Sequence, residues 1–172
     1  MASHSKKKAR ITIRPAVGAD AQKIGEVFDA AVFEGWKYLG ELASTPMFPA
    51  EEWDKVVAEH TPPNVLLVAV NESGDVVGYT AVHPQEGAQK GEMYLLFVHP
   101  KYAGRGVGRA LLAAAHEALR AAGCRESFLY THEQNKRALA VYEAAGYRRD
   151  GTVRESDFRG VHLREPRLVK AL

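Results

Sequence analysis

The sequence predicts an α/β domain built on a mixed, mostly antiparallel central sheet of about seven strands flanked by about four helices. Three observations carry this reading. The middle of the chain holds three consecutive strand-like segments, 65–70, 76–83 and 92–98, separated by turn residues. After His99-Pro100 the apolar period changes from two to between three and four, behind a glycine-rich loop. The full order reads β, α, α, β, β, β, α, β, α, β, β, with no internal repeat and no linker-like stretch.

Each element has its own justification. Arg10 to Arg14 alternates apolar Ile11 and Ile13 with polar neighbours, the period of a half-buried strand, and Pro15 with Gly18 turns the chain. From Asp20 to about Glu34, Ile24, Val27, Phe28, Ala31 and Val32 recur at helical intervals. Trp36 to Pro49 is aromatic and aperiodic; Ala50 to His60 is helical around Trp53, Val56 and Val57, and Pro62-Pro63 ends it. Val65 to Val70 is a β-branched, apolar strand, Asn71 to Asp75 a turn, and Val76 to His83 its hairpin partner. Pro84 to Gly91 is a loop, and Glu92 to Val98 completes a meander. The next helix carries Val107, Leu111, Ala115, Ala118, Leu119 and Ala122 on one stripe and closes at Gly123. Ser127 to Thr131 is a strand, Asn135 to Ala145 a helix stopped by Gly146, and two last strands fall near 147–153 and 161–169. Residues 10–172 thus form one domain, with residues 1–9 as a flexible basic tail.

Composition excludes several function classes. The chain has 172 residues, 46% of them hydrophobic, enough to bury roughly two thirds of its unfolded surface without a metal or disulfide staple. One cysteine, Cys124, excludes an internal disulfide and a thiolate zinc site, and fits a reducing cytoplasm. Lys6, Lys7, Lys8 and Arg10 have no apolar stretch behind them, so the start of the chain does not read as a secretory signal. No apolar run exceeds six residues, far below the ~20 that span a bilayer. Lys plus Arg number 23 against 21 Asp plus Glu, a balance that gives no reason to expect a nucleic-acid partner. The histidines show no metal-like spacing and no G-x-S-x-G elbow exists, so neither a metal nor serine hydrolysis is expected.

The run Tyr102-Ala103-Gly104-Arg105-Gly106-Val107-Gly108-Arg109 lies between a strand and a helix. Unpaired N–H groups and the helix dipole favour an anion there, and glycine lets a phosphate approach the backbone. It is no Walker loop, because Arg109 and Ala110 follow Gly108, and no dinucleotide fingerprint, which needs glycine at position 109.

Leu96 to Leu112, with this loop inside it, resembles the acyl-CoA-binding core of the GNAT superfamily of N-acetyltransferases. Asn135-Lys136-Arg137-Ala138-Leu139-Ala140-Val141-Tyr142-Glu143-Ala144-Ala145-Gly146-Tyr147 is similar to the family's helix after the fifth strand, and the element order matches over nearly the whole chain. One position departs: the family's loop opens with Gln or Arg where this chain has Ala103. Backbone amides carry most of such a phosphate site, and Arg105 and Arg109 are placed to supply charge.

The resemblance implies the GNAT fold, with strands four and five splayed around the pantetheine arm of acetyl-CoA. It implies transfer of an acetyl group from this cosubstrate directly to a primary amine of a small molecule or peptide. Leu96, Phe97 and Val98 would bind pantetheine through their backbone, and the amides of Gly104, Arg105, Gly106, Val107, Gly108 and Arg109 would hold the pyrophosphate. Asn135, seven residues before Tyr142 on one helix face, would contact CoA, and Tyr142 would protonate the departing sulfur. Each has a plainer role as well: Asn135 as a helix cap, Tyr142 as a core aromatic. Glu92 falls where histone-type members carry their basic glutamate, and by strand alternation it shares a face with Tyr94, Leu96 and Val98; it is also placed to be a surface carboxylate. Ribosomal-protein-type members carry a glutamate where this chain has Tyr130, so His132 and Glu133 stay open as bases. Phe33, Trp36, Tyr38 and Phe48, with Met47 and Trp53, would face the acceptor, and Glu155, Asp157 and Phe158 would close its other side. A homodimer is allowed, dimers being common in the family. A sensor that binds acyl-CoA without turnover, and an acetyltransferase acting on a protein or aminoacyl-tRNA, are the alternatives.

Overall fold

A computed structural model describes residues 7–172. Of the basic tail, Met1 to Lys6 lies outside the described residues, whereas the Ala9 N–H donates to the carbonyl of Arg105 at 3.0 Å.

Seven strands form one sheet in the order β1-β2-β3-β4-β5-β7-β6. They are β1 (Ile11–Pro15), β2 (Val65–Asn71), β3 (Val76–Pro84), β4 (Lys90–Val98), β5 (Glu126–Tyr130), β6 (Arg148–Phe158) and β7 (Val161–Ala171). Four α-helices cover it: α1 (Ala21–Gly35), α2 (Ala50–Glu59), α3 (Val107–Ala121) and α4 (Lys136–Ala144). The aperiodic stretch after α1 is a 3-10 segment, Lys37–Ser44, kinked at Gly40.

Strand alternation divides the core between the two faces of the sheet. Val68 and Tyr79 point toward Ile24, Phe28 and Val32 of α1 and toward Trp53 of α2. Their neighbours Ala69 and Gly78 point the other way, onto Val107 and Leu111 of α3, and a register shift between β2 and β3 turns Val77 to that side as well. Further along, Leu112, Ala115 and Leu119 of α3 pack with Val82, Met93 and with Leu139 and Tyr142 of α4. Gly25 makes the α1–α2 approach possible, since a Cβ there would stand 2.6 Å from Cδ1 of Trp53. Arg14 donates two hydrogen bonds to buried Asp20, at 2.6 and 2.9 Å, which ties β1 to the start of α1.

Two irregularities shape the site. The parallel pairing of β4 with β5 covers only Lys90↔Glu126, Gly91↔Ser127 and Glu92↔Phe128, and from Met93 onward the two strands part. β4 also carries a bulge: Ala81 pairs with Leu95 and Val82 with Met93, leaving Tyr94 without a partner residue on β3. The extra residue corrects the expected alternation. Glu92 shares its face with Leu95 and Phe97, on the α1–α2 side, while Leu96 and Val98 pack toward α3.

The hairpin β6–β7 is longer than the sequence pattern indicates. Its turn, Arg159 and Gly160, has φ of 50° and 83°, the left-handed pair of a two-residue hairpin turn. β6 is an edge strand, almost wholly exposed, so it lacks the apolar alternation that marks a buried strand.

Candidate active site

The parting of β4 from β5 opens two cavities that meet. The first, about 230 Å³, is bordered by Leu96, Phe97 and Val98 of β4, by Tyr102, Ala103, Gly104 and Gly108 of the loop, and by Asn135 and Tyr142 of α4. The second, about 410 Å³, lies over the α1–α2 face and reaches β6 and β7. Trp36, Leu96, Phe97, Asn135, Ala138 and Tyr142 border both.

The first cavity ends at an anion-ready helix start. Gly104 and Gly106 have φ of 76° and 88°, values that favour glycine, and no side chain caps α3. The first-turn N–H groups of an α-helix have no partner inside it, and here they open beside a glycine cradle. Arg105 lies with its guanidinium 5.7 Å from the Tyr102 ring centroid, and Arg109 is exposed. Val107 buries its side chain in the core, so only its backbone is available to a ligand. Residues and shape therefore fit a phosphate-bearing ligand whose arm runs along the unpaired edge of β4.

At the junction, Asn135 caps α4 by accepting the Ala138 N–H at 3.1 Å, and this leaves its amide N–H₂ unused by the cap. Tyr142 is buried beside Tyr147, and burial pushes its phenol well above the ordinary range, so it stays protonated.

The second cavity has an aromatic wall centred on Phe28, whose ring lies 5.0 to 6.0 Å from those of Trp36, Phe48, Trp53 and Phe97. Its floor is polar. Glu92 is half-buried, and burial lifts its carboxyl above the usual carboxylate range; Arg154 opposes that shift and Glu165 adds to it. Glu165 is buried and accepts from Arg154 twice, Nε to Oε2 at 3.0 Å and Nη2 to Oε1 at 3.1 Å, and from Ser156 at 3.3 Å. Arg154 lies 4.3 Å from the Tyr130 ring centroid. His132 sits 4.5 Å from Trp36, ring to ring, with burial lowering its proton affinity.

Most sequence-derived candidates meet here, and some do not. Trp36 and Phe48 line the acceptor-side cavity, and Tyr38 reaches it through His132. Phe33 lines neither cavity: it stands on the solvent face of α1, out of step with the buried stripe. Glu155 and Asp157 belong to the opposite face of β6 from Arg154, Ser156 and Phe158; Glu155 faces Arg164 at 3.6 Å, and Asp157 accepts the Gly160 N–H. Glu133 lines neither cavity and lies 3.6 Å from Arg164. Arg154 and Glu165 escape the sequence reading, although counting outward from the Arg159-Gly160 turn places them opposite each other.

A sheet split beside a glycine-rich helix start, with a second cavity across the gap, defines an acyltransferase-type domain. The model of the acetyltransferase (GNAT) family matches residues 30–147, and the chain belongs to that family. A mycothiol acetyltransferase of Stackebrandtia nassauensis is 34% identical over 149 residues, 82% of this chain and 45% of that protein. Another, from Propionibacterium freudenreichii, is 42% identical over 87 residues, 49% of this chain and 28% of its own length. The chain spans less than half the length of these curated relatives. Among solved structures, a phosphinothricin acetyltransferase from Sinorhizobium meliloti in complex with acetyl-CoA superposes with a TM-score of 0.74 at 23% identity, covering 94% of this chain and 88% of its own. A ribosomal-protein-alanine N-acetyltransferase from Brucella melitensis gives 0.76 at 24% identity, covering 94% and 99%. These two likenesses show the shared fold. No described helix is long and apolar enough to cross a membrane.

Proposed function

We propose that this chain transfers the acetyl group of acetyl-CoA to a primary amine of a small molecule or of a peptide. The observation that carries the reading is the meeting of the two cavities at the β4–β5 split, with Tyr142 and Asn135 bordering both. The amides of Gly104 to Arg109 hold the pyrophosphate, and the free edge of Leu96, Phe97 and Val98 receives the pantetheine arm. Bound there, acetyl-CoA supplies an activated acetyl group at the junction.

The chain's own residues then manage two protons. Glu92, a carboxylate on the acceptor side, takes a proton from the attacking amine. Its raised proton affinity makes it a better base than an exposed carboxylate. Tyr142 keeps its phenolic proton at Oη for the departing sulfur. The acceptor-side cavity, about 410 Å³, has the size of a small-molecule site.

The test is thiol release from acetyl-CoA across a panel of polyamines, aminoglycosides, arylamines, amino acids and short peptides, with Tyr142→Phe beside the unaltered chain. Release above background for one class, cut by at least about tenfold in the variant, is expected. Equal release by both proteins removes Tyr142 from the mechanism, and acetyl-CoA binding without release for any amine favours a sensor.

A further inference from the structure

Resting on the acetyl-transfer reading, the geometry points to an acceptor class: a primary amine on an apolar, preferably aromatic body that carries no acidic group. The charges around the acceptor-side cavity decide this. Glu52, Glu92 and Glu165 line it against a single arginine, Arg154. That arginine is committed to both oxygens of Glu165, so it arrives at the cavity already neutralised. Arg159 lies nearby on the hairpin turn, but its Nη2 donates to the Met47 carbonyl at 2.6 Å, and it does not line the cavity. Glu52 is likewise held by Lys55 at 2.8 Å, so after pairing the excess charge is negative and carried by Glu92. A carboxylate or phosphinate on the acceptor would meet like charge, and no free cation lines the cavity among the described residues.

The apolar surface says what the amine is attached to. Phe28, Trp36, Phe48 and Trp53 form a continuous ring-lined side of the cavity, and Phe158 lines it as well. Such rings receive a flat or branched hydrocarbon body by burial and hold an ammonium over their faces. An incoming alkylammonium therefore finds both attraction and a proton acceptor at Glu92 near the junction. An α-amino acid finds the same wall and the same base, together with repulsion at its acid group.

The experiment compares 2-phenylethylamine with L-phenylalanine, which differ by the α-carboxylate alone, in acetyl-CoA-dependent thiol release. A kcat/KM at least about 100-fold higher for the amine is expected. Glu165→Gln, which releases the charge of Arg154, should narrow that ratio at least about tenfold. An equal or better rate with phenylalanine overturns the proposal while leaving the acetyl-transfer reading intact. An unchanged ratio in Glu165→Gln overturns the role of the arginine pairing. Should neither compound turn over, quenching of Trp36 and Trp53 fluorescence decides: saturable quenching by the amine alone supports the class, and none by either compound overturns it.

Discussion

The Tyr38 hydroxyl lies 2.6 Å from Nδ1 of His132, joining the segment after α1 to the loop after β5. Burial, with Glu165 nearby, pushes the Tyr38 phenol well above its ordinary range, so the hydroxyl keeps its proton and donates a hydrogen bond to Nδ1. The neutral imidazole then carries its hydrogen on Nε2, which faces Oε1 of Glu165 at 3.9 Å. With Nδ1 accepting from Tyr38, His132 has no free lone pair for a proton, which accords with a positioning role on the cavity wall and with Glu92 as the proposed base. Tyr38→Phe should lower kcat by less than about tenfold, the scale of one lost hydrogen bond. A fall of a hundredfold or more in steady-state kinetics would transfer the base role to His132.

Glu92→Gln tests the complementary statement. The amide keeps the volume and removes the proton acceptor, so turnover should drop by about 10² to 10⁴. Acetyl-CoA affinity, set by the loop and the β4 edge, should not change. With Glu92 as the proposed base the carboxylate is the active form, so kcat/KM should fall as pH drops through its folded pKa. That pKa is raised above the ordinary 4.5, and the acid limb should lie above that value and vanish in Glu92→Gln. An acid limb that persists in the variant belongs to another group.

The architecture, and the gathering of the glycine loop, Asn135 and Tyr142 around one cavity, were legible because their signals are local. Glycines at 104, 106 and 108 mark the loop, and a spacing of seven places Asn135 and Tyr142 on one helix face, where both border the cavities. Phe33 failed because aromatic content was read without the helical phase that turns it to solvent. The face shared by Glu92 failed for a different reason. A bulge at Tyr94 shifts the alternation by one, and no glycine or proline at that position announces it. Arg154 and Glu165 were hidden by strand length, since the polar edge strand β6 shows no apolar period beyond Val153. Hairpin register counted from the Arg159-Gly160 turn makes that pair, and composition does not display register.

Gly106→Ala separates ligand binding from chemistry. Gly106 precedes α3 with φ of 88°, where an L-residue costs roughly 1 kcal/mol, and its backbone belongs to the proposed phosphate site. A methyl there should weaken acetyl-CoA binding by about tenfold, measured by calorimetry, and lower the melting temperature slightly. Turnover at saturating acetyl-CoA should stay near that of the unaltered chain. Unchanged affinity would move the phosphate site away from this loop.

Away from the site, His116 gives the fold a pH dependence whose sign follows from its burial. Its Nε2 meets the Tyr147 hydroxyl at 2.8 Å, and that hydroxyl also meets Ser127 at 2.7 Å, all three residues being buried between α3 and the sheet. Burial, with Lys170 and Arg120 adding, lowers the His116 pKa from the ordinary 6.5 to about 4. The unfolded chain therefore binds this proton more readily than the folded one. Stability from the neutral ring is present above pH 6.5 and is lost as pH falls toward 4. At pH 5 the loss from this residue should reach about 1–2 kcal/mol, since each unit of pKa difference is worth about 1.4 kcal/mol. His116→Gln retains a polar partner for Tyr147 but does not titrate. Urea unfolding at pH 7 and pH 5 should show a smaller drop for His116→Gln by that amount. An identical drop in both proteins would assign the acid sensitivity to carboxylates instead.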